Sequence, residues 1–110
     1  MKITTRTIGD CRVLDCSGKI ALGPATEAFR EAVHAAAKDS PKRVVVNLGE
    51  VTFLDTAGLG ELISGRRYVM DHGGEMVLMN ATKRIHQVLI ITRLSTEFEL
   101  FEDEKAALAV

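Results

Sequence analysis

The sequence predicts an α/β domain with a mixed sheet and one antiparallel edge. Three observations predict it. Two strand-like segments open the chain around a Gly-Asp turn, a β-branched run apolar on both faces lies mid-chain, and helix and strand signals alternate from there on. At 110 residues, 46% of them hydrophobic, the chain makes one domain with a small but real core.

Residues 2–7 and 11–17 read as two strands joined at Ile8-Gly9-Asp10, a hairpin. Gly18 to Pro24 is a connector, and Pro24 suits the first turn of a helix. Ala25, Ala28, Phe29, Ala32, Val33 and Ala36 then recur at helical spacing up to Lys38, and Ser40-Pro41 stops that helix. Arg43 to Leu48 is apolar on both sides, as a covered central strand must be. Gly49 to Leu54 is expected to be a bridge, with the next helix starting at Asp55-Thr56. Its expected apolar stripe is Leu59, Leu62, Ile63, Arg66, Val69 and Met70, and Gly73-Gly74 ends it.

Glu75 to Met79 reads as a further strand. Thr82 caps a helix whose inner face is Ile85, Val88, Leu89 and Thr92. A fifth short strand is expected at Thr96–Leu100 and a last helix at Phe101–Val110, with acidic residues in its first turn. No repeat, linker or low-complexity segment interrupts the series.

Composition excludes several functions. With 14 basic and 15 acidic residues there is no cationic excess to capture nucleic acid. No run of about 18 apolar residues exists, so direct insertion into a membrane is not expected. The start, MKITTRTIGD, lacks the apolar centre of a signal peptide, so the expected compartment is the cytoplasm. Cys11 and Cys16 lie an odd number of residues apart on one strand, which puts them on opposite faces, unpaired and reduced. His34, His72 and His86 are scattered over helices with no acid at ligand spacing, so neither a metal, a cofactor nor a catalytic base is expected.

The stretch FLDTAGLGELI, residues 53–63, needs a separate explanation. Its Asp-Thr-Ala-Gly has the D-x-x-G form of a GTPase, but the phosphate loop G-x-x-x-x-G-K-[ST] that must precede it is absent, and Asn80-Ala-Thr-Lys83 lacks the acid of a guanine-reading motif. Thr56 as a hydrolase nucleophile would need G-x-S-x-G and a base, and has neither. A helix cap is the simplest role for Asp55 or Thr56. One cap suffices, which leaves the other group available. A hydroxyl at a helix N-terminus can also accept a phosphate, because free N–H groups and the positive dipole end tolerate the charge.

Residues 44–80, VVVNLGEVTFLDTAGLGELISGRRYVMDHGGEMVLMN, resemble the core of a STAS domain as found in bacterial anti-sigma factor antagonists: strand, apolar-Asp-Ser/Thr-x-Gly-Leu-Gly, helix, Gly-Gly, strand. LDCSGKI, residues 14–20, is similar to the family's Leu-x-Gly-x-Leu segment. The resemblance implies a mixed four- to five-stranded sheet with about four helices. It also implies a non-enzymatic partner switch. The unphosphorylated antagonist binds an anti-sigma factor serine/threonine kinase, phosphorylation by that kinase lowers the affinity, and a phosphatase restores it. On this chain Thr56 matches the phosphoacceptor and Asp55 the acid before it. Ala57, Gly58, Leu59 and Gly60 match the loop and helix start at the partner surface. Glu61, Ser64, Arg67, Tyr68 and Asp71 lie off the apolar stripe of the helix, either as a solvated face or, for Glu61, Ser64 and Tyr68, as an extension of the partner surface beside Thr56. Two residues depart from the family pattern: Thr56, where Ser is common, and Ala21, where an Asp is common. The alternative class is a cytosolic STAS subunit of a membrane lipid ABC transport complex, in which Thr56 would be an interface residue without phosphorylation.

Overall fold

The first two strands, β1 (Lys2–Ile8) and β2 (Cys11–Ile20), form the expected hairpin in the computed structural model, which describes residues 1–110. Gly9 makes the turn at φ 57°, a conformation glycine adopts without steric cost. There follow α1 (Pro24–Ala37), β3 (Arg43–Leu54), α2 (Thr56–Asp71), β4 (Glu75–Met79), α3 (Lys83–Ile91), a 3₁₀ turn (Leu94–Thr96), β5 (Leu100–Phe101) and α4 (Glu104–Leu108). The sheet runs β1-β2-β3-β4-β5, with β1 antiparallel to β2 and every other pair parallel. The helices between parallel strands make those crossovers possible.

Alternation along the strands sorts the side chains into two layers. Leu14 and Cys16 of β2, Val44, Val46 and Leu48 of β3, and Met76 and Leu78 of β4 face α1, α2 and α3, whose Phe29, Val33, Leu62, Val69, Ile85 and Leu89 complete the main core. Val13, Val45, Val77 and Met79 face the other way and are covered by Ala107 of α4. Phe29 is fully buried, so its truncation to Ala would cost about 3–5 kcal/mol. Cys11 and Cys16 are both buried and free, and Cys16 joins the main core while Cys11 does not. Burial pushes the Cys16 thiol up to about 12.

Three expectations are corrected. The segment expected as a bridge, residues 49–54, is strand: β3 continues to Leu54 beside β2, with register shifts at Asp15/Ser17 and Gly18/Lys19 that absorb the irregular pattern. The fifth strand is Leu100–Phe101 and follows the 3₁₀ turn. The last helix is only Glu104–Leu108, because Asp103 caps it through Ala106 N–H at 2.8 Å.

The second face of the sheet carries polar contacts that no local pattern announces. Arg6 of β1 clasps Asp15 of β2 and reaches Glu104 of α4, and Asn47 of β3 donates to Asp15 at 2.8 Å. Arg43, 7% exposed, pairs with Glu75, donates to the Ala107 carbonyl at 2.9 Å and lies over the Phe101 ring. Together these contacts pin the short α4 to the sheet.

Candidate functional site

Ile20 and Leu54 are register partners at the carboxyl ends of β2 and β3, so the loops leaving these strands emerge side by side. Asp55 lies between them in extended conformation, at φ −96°. Its Oδ1 accepts the Gly58 N–H at 2.7 Å, which caps α2, and its Oδ2 accepts the Leu22 N–H at 2.9 Å. One carboxylate thus closes a helix and ties down the β2–α1 loop. These N–H donors, Leu22 first and then Gly58, hold the Asp55 carboxyl below the usual carboxylate range. At neutral pH the turn therefore carries a fixed negative charge.

Gly58 lets the two loops meet. A Cβ there would collide with the Ile20 carbonyl, overlapping its oxygen and lying 3.1 Å from its carbon. At the start of α1, Thr26 Oγ1 donates to the Gly23 carbonyl at 2.9 Å and accepts its N–H at 3.2 Å, which closes the loop from the other side.

Thr56 is the first residue of α2 and is exposed. Asp55 supplies the cap, and the side-chain hydrogen bonds around the turn use Asp55, not the Thr56 hydroxyl. The hydroxyl therefore stands free at the positive end of a 16-residue helix.

The structure sorts the remaining expected partner-surface residues into two groups. Gly60 and Ser64 are exposed on the same side of α2 as Thr56, and Ala57 is half-buried. Leu59 is half-buried and packs on the main core. Gly58 is buried against Ile20 and offers no outer surface. Glu61 turns to α1, where Arg30 pairs with it and leaves its side chain 14% exposed. Tyr68 turns the same way and is stacked between His34, with centroids 3.8 Å apart, and His72, at 4.4 Å. Glu61 and Tyr68 thus cement α1 to α2 rather than extending the Thr56 surface.

The expected apolar stripe of α2 is also corrected. Its buried line is Gly58, Leu62, Gly65 and Val69, whereas Ile63 is 46% and Met70 50% exposed. Glycine at position 65 explains the rotation, since a Cβ there would come within 3.0 Å of Met76 Cε and 3.5 Å of Val33. Small residues bring α2 close to α1 and turn Ile63 outward.

No group of three or more His, Cys, Asp or Glu is placed to hold a metal ion, and no helix is long and apolar enough to cross a membrane. A depression of about 590 Å³ lies by Asn80, His86 and Phe101.

A small mixed sheet with three helices on one face, and a capped Asp-Thr turn at the end of its central strand, defines a mixed α/β domain of one sheet and two layers of helices. The chain belongs to the STAS domain family, whose sequence model matches residues 2–107. Among individual relatives, the anti-sigma F factor antagonist of Paenibacillus polymyxa is 25% identical over 67 residues, which are 61% of this chain and 57% of that protein. The match thus spans little more than half of the relative's length. An anti-sigma factor antagonist from Mycobacterium paratuberculosis superposes with a TM-score of 0.84 at 24% identity, over 97% of this chain and 90% of that one. The Bacillus cell fate determinant SpoIIAA in its phosphorylated form gives a TM-score of 0.74 at 17% identity, over 97% and 96%. At these identities the two structures establish a shared fold.

Proposed function

We propose that the protein is a cytoplasmic anti-sigma factor antagonist, a binding module and not an enzyme, whose hold on an anti-sigma factor kinase is gated by phosphorylation of Thr56. The observation that carries this reading is the division of labour at the turn. Asp55 does the structural work, and the adjacent hydroxyl is exposed and uncommitted. The likeness to anti-sigma factor antagonists supports the choice of partner class.

In the proposed cycle the kinase transfers the γ-phosphoryl group of ATP to Thr56 Oγ1. The O–H bond and the β–γ phosphoanhydride bond break, ADP leaves, and the hydroxyl proton passes to solvent. The product carries about −1.5 to −2 charges at neutral pH. The helix N-terminus tolerates that charge, so the fold survives. A partner docked over the turn does not tolerate it, because docking would strip water from the phosphate and from the ionised Asp55 beside it and set both charges against the partner's surface. A phosphatase then restores the binding form.

Affinity capture from native lysate with wild type, Thr56→Ala and Thr56→Glu tests the reading. Recovery of an ATP-binding anti-sigma kinase by the first two, and weakly by the third, is the expected result. Equal recovery of transporter subunits by all three would replace the gate with a constitutive interface.

A further inference from the structure

β1 forms one edge of the sheet, and its outer side pairs with nothing in the chain. All seven residues from Lys2 to Ile8 pair with β2 without a register shift, so the strand carries no bulge. Five of the seven are exposed, and no backbone hydrogen bond outside the helices and strands involves any of them. The N–H and C=O groups on the side away from β2 are therefore open to a further strand. The opposite edge, β5, is only two residues long.

Exposed edges are usually blunted by proline, a bulge, a covering segment or charges along the strand. β1 has no proline, and its one charge between the ends, Arg6, is drawn onto the sheet face by Asp15 and Glu104. What remains along the edge is Thr4, Thr5 and Thr7, residues that favour strands and pair well across them.

The two ends of the hairpin edge say what fits it. Lys2 at the start of β1 and Asp10 in the turn beyond its end are both exposed, and neither takes part in an ion pair. Let β1 pair with the β1 of a second copy, antiparallel, about a two-fold axis at Thr5. Thr5 then faces its own mate, Thr4 faces Arg6, Ile3 faces Thr7 and Lys2 faces Ile8. Each Lys2 ammonium reaches the turn of the other copy, where Asp10 stands, and its stem lies over Ile8, which is 36% exposed. Arg6 nears its mate at the axis, but its two carboxylates already neutralise it. A parallel arrangement would instead set Lys2 against Lys2 and Asp10 against Asp10.

We propose that β1 is a homotypic docking edge: two copies of this chain join their sheets through antiparallel β1–β1 pairing, registered by two Lys2–Asp10 ion pairs. β1 contributes no residue to the Asp55-Thr56 turn, so the contact stands or falls apart from the phosphorylation gate. One strand edge is small beside the ~1,600 Å² of a standard interface, which makes the association weak and concentration-dependent.

Sedimentation velocity of the full chain over a micromolar-to-millimolar series tests this. The expected result is a reversible monomer–dimer equilibrium, with amide exchange slowed within residues 4–7 at the high end. Thr5→Lys sets like charges opposite each other at the axis, at a position where the monomer exposes its side chain. It should weaken dimerisation at least ~10-fold while circular dichroism stays unchanged. Lys2→Glu should also weaken it, and adding Asp10→Lys to that variant should restore it, because the ion pairs are rebuilt with their signs exchanged. A chain that stays monomeric across the series would overturn the proposal, as would a dimer that Thr5→Lys leaves intact. Failure of Asp10→Lys to restore association would overturn the antiparallel register and the proposal with it. Protection of the β1 amides only when a different protein is added would assign the edge to that partner and overturn it as well.

Discussion

Leu22 and Asp55, distant in sequence, are joined by a 2.9 Å hydrogen bond from the Leu22 N–H to Asp55 Oδ2. The other oxygen of the same carboxylate caps α2 at Gly58. The β2–α1 loop and the start of α2 are thus tied together through one carboxylate, while the Leu22 side chain stays 79% exposed.

Loss of that carboxylate should loosen both loops. Asp55→Ala is expected to lower the melting temperature by roughly 4–8 °C, the effect of a lost helix cap in a domain of this size. Amide hydrogen exchange should accelerate at Leu22 as well as at Gly58. Acceleration confined to Gly58 would contradict the two-loop clamp.

Thr56→Ala should change stability by less than about 0.5 kcal/mol, because an exposed side chain without a structural partner is removed. Chemical denaturation measures it, and a loss near 2 kcal/mol would make Thr56 a structural residue.

Gly58→Ala should behave in the opposite way. The obstruction is a backbone carbonyl that has no rotamer to escape into. Overpacking of this kind costs about 1–3 kcal/mol, read from the denaturant midpoint at constant slope.

Acid should weaken the fold through three carboxylates. Asp15 is held low chiefly by its hydrogen bond from Arg6, Glu104 by the same arginine, and Asp55 by the Leu22 and Gly58 amides. A depressed carboxyl stabilises the fold fully above its unfolded value, near 4, and that stability is lost as pH falls through the lower folded value. The melting temperature should thus be level above about pH 5 and fall below pH 4. In Asp15→Asn the fall should be shallower.

Much of the fold was legible because its signals are local. The hairpin turn at Gly9, the Thr82 cap and the β-branched run at 44–46 each declare their element within a few residues. The end of β3 was not, since Gly49 to Leu54 is held by pairing with β2 across shifted register, and mixed polar residues such as Glu50 and Thr52 mask the strand period. Nor could a sequence window link Arg6 to Glu104, 98 residues away.

At the site, the Asp-Thr motif located the turn and the cap. It misjudged which side of α2 faces out. Glu61 and Tyr68 look like solvent residues until α1 supplies Arg30 and His34, and Ile63 looks like core until Gly65 turns the helix. Contacts between helices decided these positions, and those contacts depend on glycines whose role shows only in three dimensions.

In the proposed switch, one phosphate on Thr56 releases the kinase and leaves the fold intact. The direct measurement is calorimetric titration of the purified kinase with protein quantitatively phosphorylated at Thr56, beside the unmodified protein. The account predicts tight binding of the unmodified form, at least 100-fold weaker binding of the phosphorylated form, and superimposable circular dichroism for the two. Equal affinities would contradict it.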